Sequence, residues 1–301
     1  MKSGDRVVDV RGLRMRYGSR DVLDGVDLAV DAGEVVALLG PNGAGKTTTI
    51  EILEGFRTRS AGEVRVLGVD PDHGDETWRA ALGVVLQSWR DHGRWRVRQL
   101  LDYQRSFYPP YRDRLPGTDE VLGLVGLTGQ ADARIATLSG GQRRRLDVAV
   151  GLVGLPDLLF LDEPTAGFDP AARQEFHDLV TRLSGVDGMA VLLTTHDLAE
   201  AERLADRILV LAGGRITAEG TAAGLAAEAS AQTEVRYLLD GTSHVVSVAD
   251  ATEYVHRLFL DHGLAVRDLE VRRPRLEDVY LDLVRRWEGG AAARGESEVG
   301  V

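Results

Sequence analysis

From residue 6 to about 219, short apolar runs alternate with stretches of amphipathic, helix-like periodicity. VVALL (35–39), LGVVL (82–86), DLLFL (157–161) and MAVLLTT (189–195) are near-continuous runs, as strands buried on both faces of a sheet read. Such strands interleaved with helices predict an α/β domain with a parallel sheet. The pattern changes at about 88. SWRDHGRWRVRQLLDYQRSFYPPYRDR is rich in aromatic residues, arginine and proline, and from there to about 150 the periodicity is helical, which predicts a helical insertion. Beyond AGGRITAEGT come a helical AAGLAAEA (222–229), strand-like TEVRYLL and HVVSVAD, a helix near 251–262, strand-like LAVRDLEV and a last helix near 276–287. The pattern therefore predicts a main domain over 1–220, a small α/β domain over 221–288, and a disordered tail over 289–301, GGAAARGESEVGV.

Composition narrows the partners. The 301 residues carry a formal charge of −11, which argues against a broad electrostatic grip on nucleic acid or on an anionic membrane surface. The absence of cysteine excludes disulfides, thiol chemistry and cysteine zinc sites. The first residues show no apolar core of a secretory signal, and the longest apolar region, VAVGLVGLPDLLFL, is cut by Pro156 and Asp157, so a soluble polypeptide is expected.

Two stretches carry candidate chemistry. LLGPNGAGKTTTI (38–50) has the strand, glycine loop, helix order of a P-loop. Gly40, Gly43 and Gly45 are expected to take positive φ, so that Gly40, Pro41, Asn42, Gly43, Ala44 and Gly45 wrap backbone N–H groups around a phosphate chain at the start of a helix. Lys46 would add charge near the β- and γ-phosphates, Thr47 a hydroxyl for Mg²⁺, and Thr48 follows in the first turn. The second stretch, DLLFLDEPT (157–165), ends a buried strand in two carboxylates. Asp162 suits a water-mediated hold on Mg²⁺, and Glu163 could take a proton from an attacking water.

A third stretch, TLSGGQRRRLDVAV (137–150), resembles the signature of ABC-type ATPases. With the P-loop, Gln87 after LGVVL, AGFDP (166–170) and His196 after MAVLLTT, the resemblance covers about residues 6 to 219. It implies a P-loop NTPase of ABC type, with parallel sheet, antiparallel β part and helical subdomain, that binds ATP and Mg²⁺. By that resemblance Tyr17 stacks on adenine, Gln87 senses Mg²⁺ and water, and His196 contacts the γ-phosphate. Ser139, Gly140, Gly141 and Gln142 meet the nucleotide held by a second copy, and Asp169 communicates across the dimer. A separate transmembrane permease would be the other partner, holding the chain at the cytoplasmic face of the cell membrane.

The sequence departs from the family at Phe168, where leucine is usual, and after Gln87, where Trp89, His92 and Trp95 read as a partner-contacting loop or as ordinary packing. Arg143, Arg144 and Arg145 read as a solvated helix face. RRPRLEDVYLDLV (272–284) resembles the closing element of daunorubicin-type exporter ATPases, and is also a plain amphipathic helix. Export of a hydrophobic compound is the preferred reading; a polysaccharide exporter, an importer, or a soluble ATPase acting on DNA or ribosomes are the alternatives.

Overall fold

The structure is a computed structural model that describes residues 5–85, 92–166, 168–183, 188–229 and 233–272, together with Glu277 and Tyr280. The chain divides into two compact units, 1–217 and 218–301. Among the described residues the first runs β1 (Arg6–Tyr17), β2 (Arg20–Asp31), β3 (Val35–Leu39), α1 (Lys46–Leu53), β4 (Ala61–Val66), α2 (Glu76–Ala80), β5 (Leu82–Val85), α3 (Val97–Arg105), α4 (Thr118–Leu124) and α5 (Gly140–Leu152). It continues with β6 (Leu158–Asp162), α6 (Pro170–Leu183), β7 (Ala190–Thr195), α7 (Leu198–Leu204), β8 (Arg207–Ala212) and β9 (Arg215–Gly220), the strand at which the units divide.

A six-stranded sheet has the order β5-β6-β7-β3-β8-β9, with β5, β6, β7, β3 and β8 paired in parallel. Every residue of β3, β6 and β7 is buried, which is why these strands read as unbroken apolar runs. A second sheet, β2-β1-β4, is antiparallel. Its strands alternate: Val8, Val10, Leu13, Leu23, Val26, Leu28 and Val64 turn inward against Ile50, Ile52 and Leu53 of α1. Helices α3, α4 and α5 pack on one another through Val97, Leu100, Leu101, Val121, Leu122 and Leu146, all fully buried. These helices follow one another between β5 and β6.

The second unit holds α8 (Ala222–Ala229), β10 (Thr233–Leu239), β11 (Thr242–Val248), α9 (Ala251–His262) and β12 (Val266–Arg272). Its antiparallel sheet has the order β11-β10-β12. The β10–β11 hairpin turns at Asp240 and Gly241, with φ of 50° and 79°, the left-handed pair that lets a two-residue turn follow the strand twist. Asp250 caps α9 by accepting from Glu253 N (3.0 Å), and Val235, Tyr237, Leu258 and Val266 form the core. The helix expected near 276–287 lies outside the described residues except for Glu277 and Tyr280, both helical, and the tail 289–301 lies wholly outside them. No helix of the described residues is long and apolar enough to cross a membrane.

Candidate functional site

Strands β6, β7 and β3 lie side by side in that order, with Asp162 opposite Thr194 and Leu39 opposite Thr195. The loops leaving their C-terminal ends therefore meet, although that of β3 lies more than a hundred residues before the other two in sequence. Gly40 N donates to Thr195 O and Glu163 N to Thr194 O, both at 3.2 Å, so each loop is anchored to the central strand β7.

The glycine loop is shaped as its residue types suggest, with one correction. Gly43 and Gly45 have φ of 80° and 106°, and a Cβ on Gly45 would lie 2.6 Å from Leu23 Cδ2. Gly40 does not take positive φ; glycine is needed there for room, since a Cβ would stand 2.4 Å from the Leu211 carbonyl oxygen. Pro41 O accepts from Ala44 N (3.2 Å), Ala44 is buried, and Asn42 is exposed. Helix α1 begins at Lys46 without a side-chain cap, and the N–H groups of its first turn, Lys46 to Thr48, are open to an anion.

Lys46 Nζ donates to Gly40 O (2.8 Å) and Pro41 O (3.2 Å) and pairs with Glu163 Oε1 at 3.3 Å. The other oxygen of Glu163 lies 3.3 Å from His196 Nδ1. Glu163 thus bridges the cation of one loop and the imidazole of another. Its backbone has φ of 42°, a left-handed conformation that a non-glycine residue holds only where its surroundings impose it. Asp162, buried, accepts from Thr194 Oγ1 (2.5 Å) and Thr47 Oγ1 (3.2 Å).

This donor set fits Mg²⁺. Among the described residues no cluster of three or more His, Cys, Asp or Glu could cage a metal. One carboxylate and one hydroxyl beside a phosphate-binding loop is what an ion that keeps waters and phosphate oxygens as its other ligands requires.

The turn after β6 is held from two further sides. Arg144 of α5 is buried; its Nε donates to Pro164 O (2.9 Å) and its Nη2 to Asp162 O (3.2 Å). The expectation that Arg143 to Arg145 form a solvated face fails at Arg144, because 144 stands one turn before Val148 and two before Leu152 on the buried side of α5. Thr165 Oγ1 donates to Glu200 Oε1 of α7 (2.8 Å), and burial raises the Glu200 pKa against the opposing pull of the Thr195 and Thr165 hydroxyls. Helical spacing from Val148 would have flagged Arg144, whereas Thr194 and Glu200 come to light only with the strand order.

A second corner is built around the start of α5. Ser139 caps it, accepting from Gln142 N (3.2 Å), while the Gln142 carboxamide accepts from Ser139 N (3.0 Å). Ser139, Gly140, Gly141 and Gln142 line a cavity of about 380 Å³ with Phe168 and Asp169. Asp169 caps α6 through Ala172 N (2.9 Å), and Phe168 packs edge-on to Phe176 at 6.1 Å between centroids, so the bulkier ring is accommodated locally.

Tyr17 ends β1 and is exposed, with the Arg57 guanidinium 5.2 Å from its ring centre. Gln87 and Trp89 lie outside the described residues. In the insertion, His92, Trp95, Tyr103 and Phe107 form a ladder of rings 5.0–5.2 Å apart, with Tyr103 and Phe107 exposed.

The comparisons with known proteins fit this geometry. The family model described as ABC transporter matches residues 23–166. The daunorubicin resistance ATP-binding protein DrrA3 of Streptomyces coeruleorubidus is 36% identical over 93% of this chain and 96% of its own length. This chain belongs to the ABC transporter family. It is the ATPase subunit of a transporter, and like its family it binds and hydrolyses ATP. The Nod factor export ATP-binding protein I of Rhizobium meliloti is 37% identical over 93% of this chain and 88% of its own. Among solved structures, an ATP-binding subunit of an ABC transporter aligns with a TM-score of 0.63 and 30% identity over 74% of this chain and 92% of that one. A dimeric bacterial ABC transporter cassette aligns with a TM-score of 0.62 and 26% identity, covering 71% and 98%. ABC cassettes of this kind dimerise and work with transmembrane subunits.

Proposed function

We propose that this ABC ATPase powers export of a hydrophobic compound, a drug, antibiotic or lipid, through a separate membrane subunit, to which it binds peripherally at the cytoplasmic face. The observation that carries the catalytic part is Glu163, whose carboxylate stands 3.3 Å from both Lys46 Nζ and His196 Nδ1. When ATP enters, Lys46 and the first turn of α1 turn to its phosphates, which frees Glu163 to orient a water and take its proton. Mg²⁺ held at Thr47 and Asp162 would neutralise charge on the β- and γ-phosphates. His196 and Gln87 steady the γ-phosphate side, and Tyr17 stacks on the base. Ser139, Gly140, Gly141 and Gln142 complete the site of a second copy, and Asp169 links the two halves, because neither corner alone both holds and encloses a nucleotide.

The names of the relatives support export of amphiphilic or hydrophobic cargo, and the exposed Tyr103 and Phe107 suit contact with a membrane subunit. Glu163→Gln tests the reading on both levels. It should bind ATP normally, hydrolyse it about 100-fold more slowly or worse, and accumulate as an ATP-bound dimer. Tagged and recovered with ATP from detergent-solubilised native membranes, it should bring down a stoichiometric polypeptide with several membrane spans. Near-normal phosphate release removes Glu163 from the role of base; recovery of ribosomes or DNA-bound proteins instead of a membrane partner overturns the transport reading.

A further inference from the structure

We propose that Arg144 is a positioning residue for hydrolysis, a clamp that sets the backbone of Glu163 from the signature helix of the same chain. The inference rests on the reading of Glu163 as the base.

Two of its donors reach the carbonyls on either side of that residue: Nε to Pro164 O at 2.9 Å and Nη2 to Asp162 O at 3.2 Å. Between those carbonyls Glu163 has φ of 42°. A left-handed backbone costs a non-glycine residue free energy, and it persists only if neighbouring contacts over-determine it. A guanidinium forks in a fixed plane, so it can hold two carbonyl oxygens at a set separation, which a lysine ammonium cannot. Arg144 is 6% exposed, and burying that guanidinium costs free energy that a solubility or surface role would not justify. Asp147 Oδ2 stands farther off, 3.9 Å from Nη1, so both carbonyl contacts are tighter than this ion pair.

The clamp also joins two functions. Arg144 lies on α5, one turn beyond the cap at Ser139, and the start of that helix lines the cavity of the signature corner. A shift of α5 when that corner closes on a second copy's nucleotide would be transmitted to the backbone that aims Glu163. A displacement of about an ångström of a catalytic group costs on the order of 100-fold in rate.

Two variants make the test, Arg144→Gln and Arg144→Lys, each purified and compared with the unmodified chain and with Glu163→Gln. Binding of a fluorescent ATP analogue and cooperative thermal unfolding monitor the fold; kcat and KM for ATP are measured separately. The expected result is nucleotide affinity and KM within about 3-fold of the unmodified chain, with kcat lowered on the order of 100-fold in Arg144→Gln and less in Arg144→Lys, which can still reach one carbonyl. In the Glu163→Gln background, Arg144→Gln should lower turnover no further, because the clamp has nothing left to aim. Unchanged kcat in Arg144→Gln, an additive loss in the double variant, or loss of folding and nucleotide binding in both variants overturns the proposal. If Glu163→Gln itself hydrolyses ATP normally, the reading of the base has failed instead, whatever Arg144 does.

Discussion

The two corners of the ATPase unit are built on opposite plans. At the P-loop corner every charge is answered from within the chain: Lys46 pairs with Glu163, Glu163 with His196, and Asp162 with Thr47 and Thr194. At the signature corner a helix start made of Ser139, Gly140 and Gly141 opens on a cavity of about 380 Å³, and Ser139 and Gln142 are spent on capping each other. On the reading proposed above, the first corner carries the phosphate chemistry and rests with these groups paired to one another. The second offers amides and a helix dipole beside the carboxylates of Asp169 and Glu175, and on the same reading it docks the nucleotide of a second copy. On that reading chemistry and its trigger are separated within one polypeptide, and a second copy brings them together.

The largest effect should come from breaking each corner in turn. Lys46→Ala should lower turnover about 10²–10³-fold by removing the cation aimed at the transferring phosphoryl group. Gly140→Asp should do comparable damage from the other corner by placing a negative charge where phosphate is expected, and it should fold, because a Cβ there meets nothing within 4 Å. Mixed after unfolding or co-expressed, the two inactive chains should regain activity, since a mixed dimer has one site assembled from an intact P-loop and an intact signature. Measured phosphate release no higher than that of either variant alone would mean that both corners serve the same nucleotide within one chain, and the contrast drawn above would fall.

A smaller effect tests the adenine-stacking role proposed for Tyr17. Tyr17→Ala should raise the KM for ATP about tenfold with kcat little changed, the size expected of one lost base-stacking contact, while Tyr17→Phe should behave as the unmodified chain. The Arg57 guanidinium, 5.2 Å from the ring, would then be expected to lie over one face and leave the other for adenine. An unchanged KM in Tyr17→Ala would assign the ring to packing with Arg57 alone.

The contrast between the corners was legible in the sequence to different depths. Strands β3, β6 and β7 were plain because burial on both faces leaves no polar alternation to confuse the reading. The P-loop was plain because its glycines punctuate a strand and a helix, although Gly40 serves by size and not by its φ. The pairing of Lys46 with Glu163 was not visible, since it depends on β7 lying between β6 and β3, and sequence order says nothing of strand order. Nor was the strained φ of Glu163, which no residue type announces. Arg144 was misread because three adjacent arginines look like charge for solvent, while the helical period puts the middle one on the stripe of Val148 and Leu152.

The smallest effect concerns the ground on which the P-loop corner stands. Glu54, at the C-terminal end of α1, has a carboxyl oxygen with no hydrogen-bond partner among the described residues, and its pKa is pushed up to about 8, first by burial and then by the charges of Asp162 and Glu51. An unfolded Glu titrates near 4.5, so between that value and about 8 the folded chain holds more protons than the unfolded one, and stability falls as pH rises through the window. Asp147, raised to about 6 by burial, adds to the same slope lower down, and His177, whose pKa burial lowers, opposes it below its ordinary range. Glu200, which burial also raises, slopes the same way, and the interval from about pH 7 to 8.5 lies above the windows of Asp147 and His177. Glu54→Gln should flatten the stability curve there and leave the chain on the order of 1–3 kcal/mol more stable than the unmodified protein at pH 8.5, with no gain near pH 4.5. Denaturant unfolding at a series of pH values measures it. A slope that survives the substitution would place the stored repulsion at another group, and the acidic back of the P-loop corner would then be balanced as fully as its front.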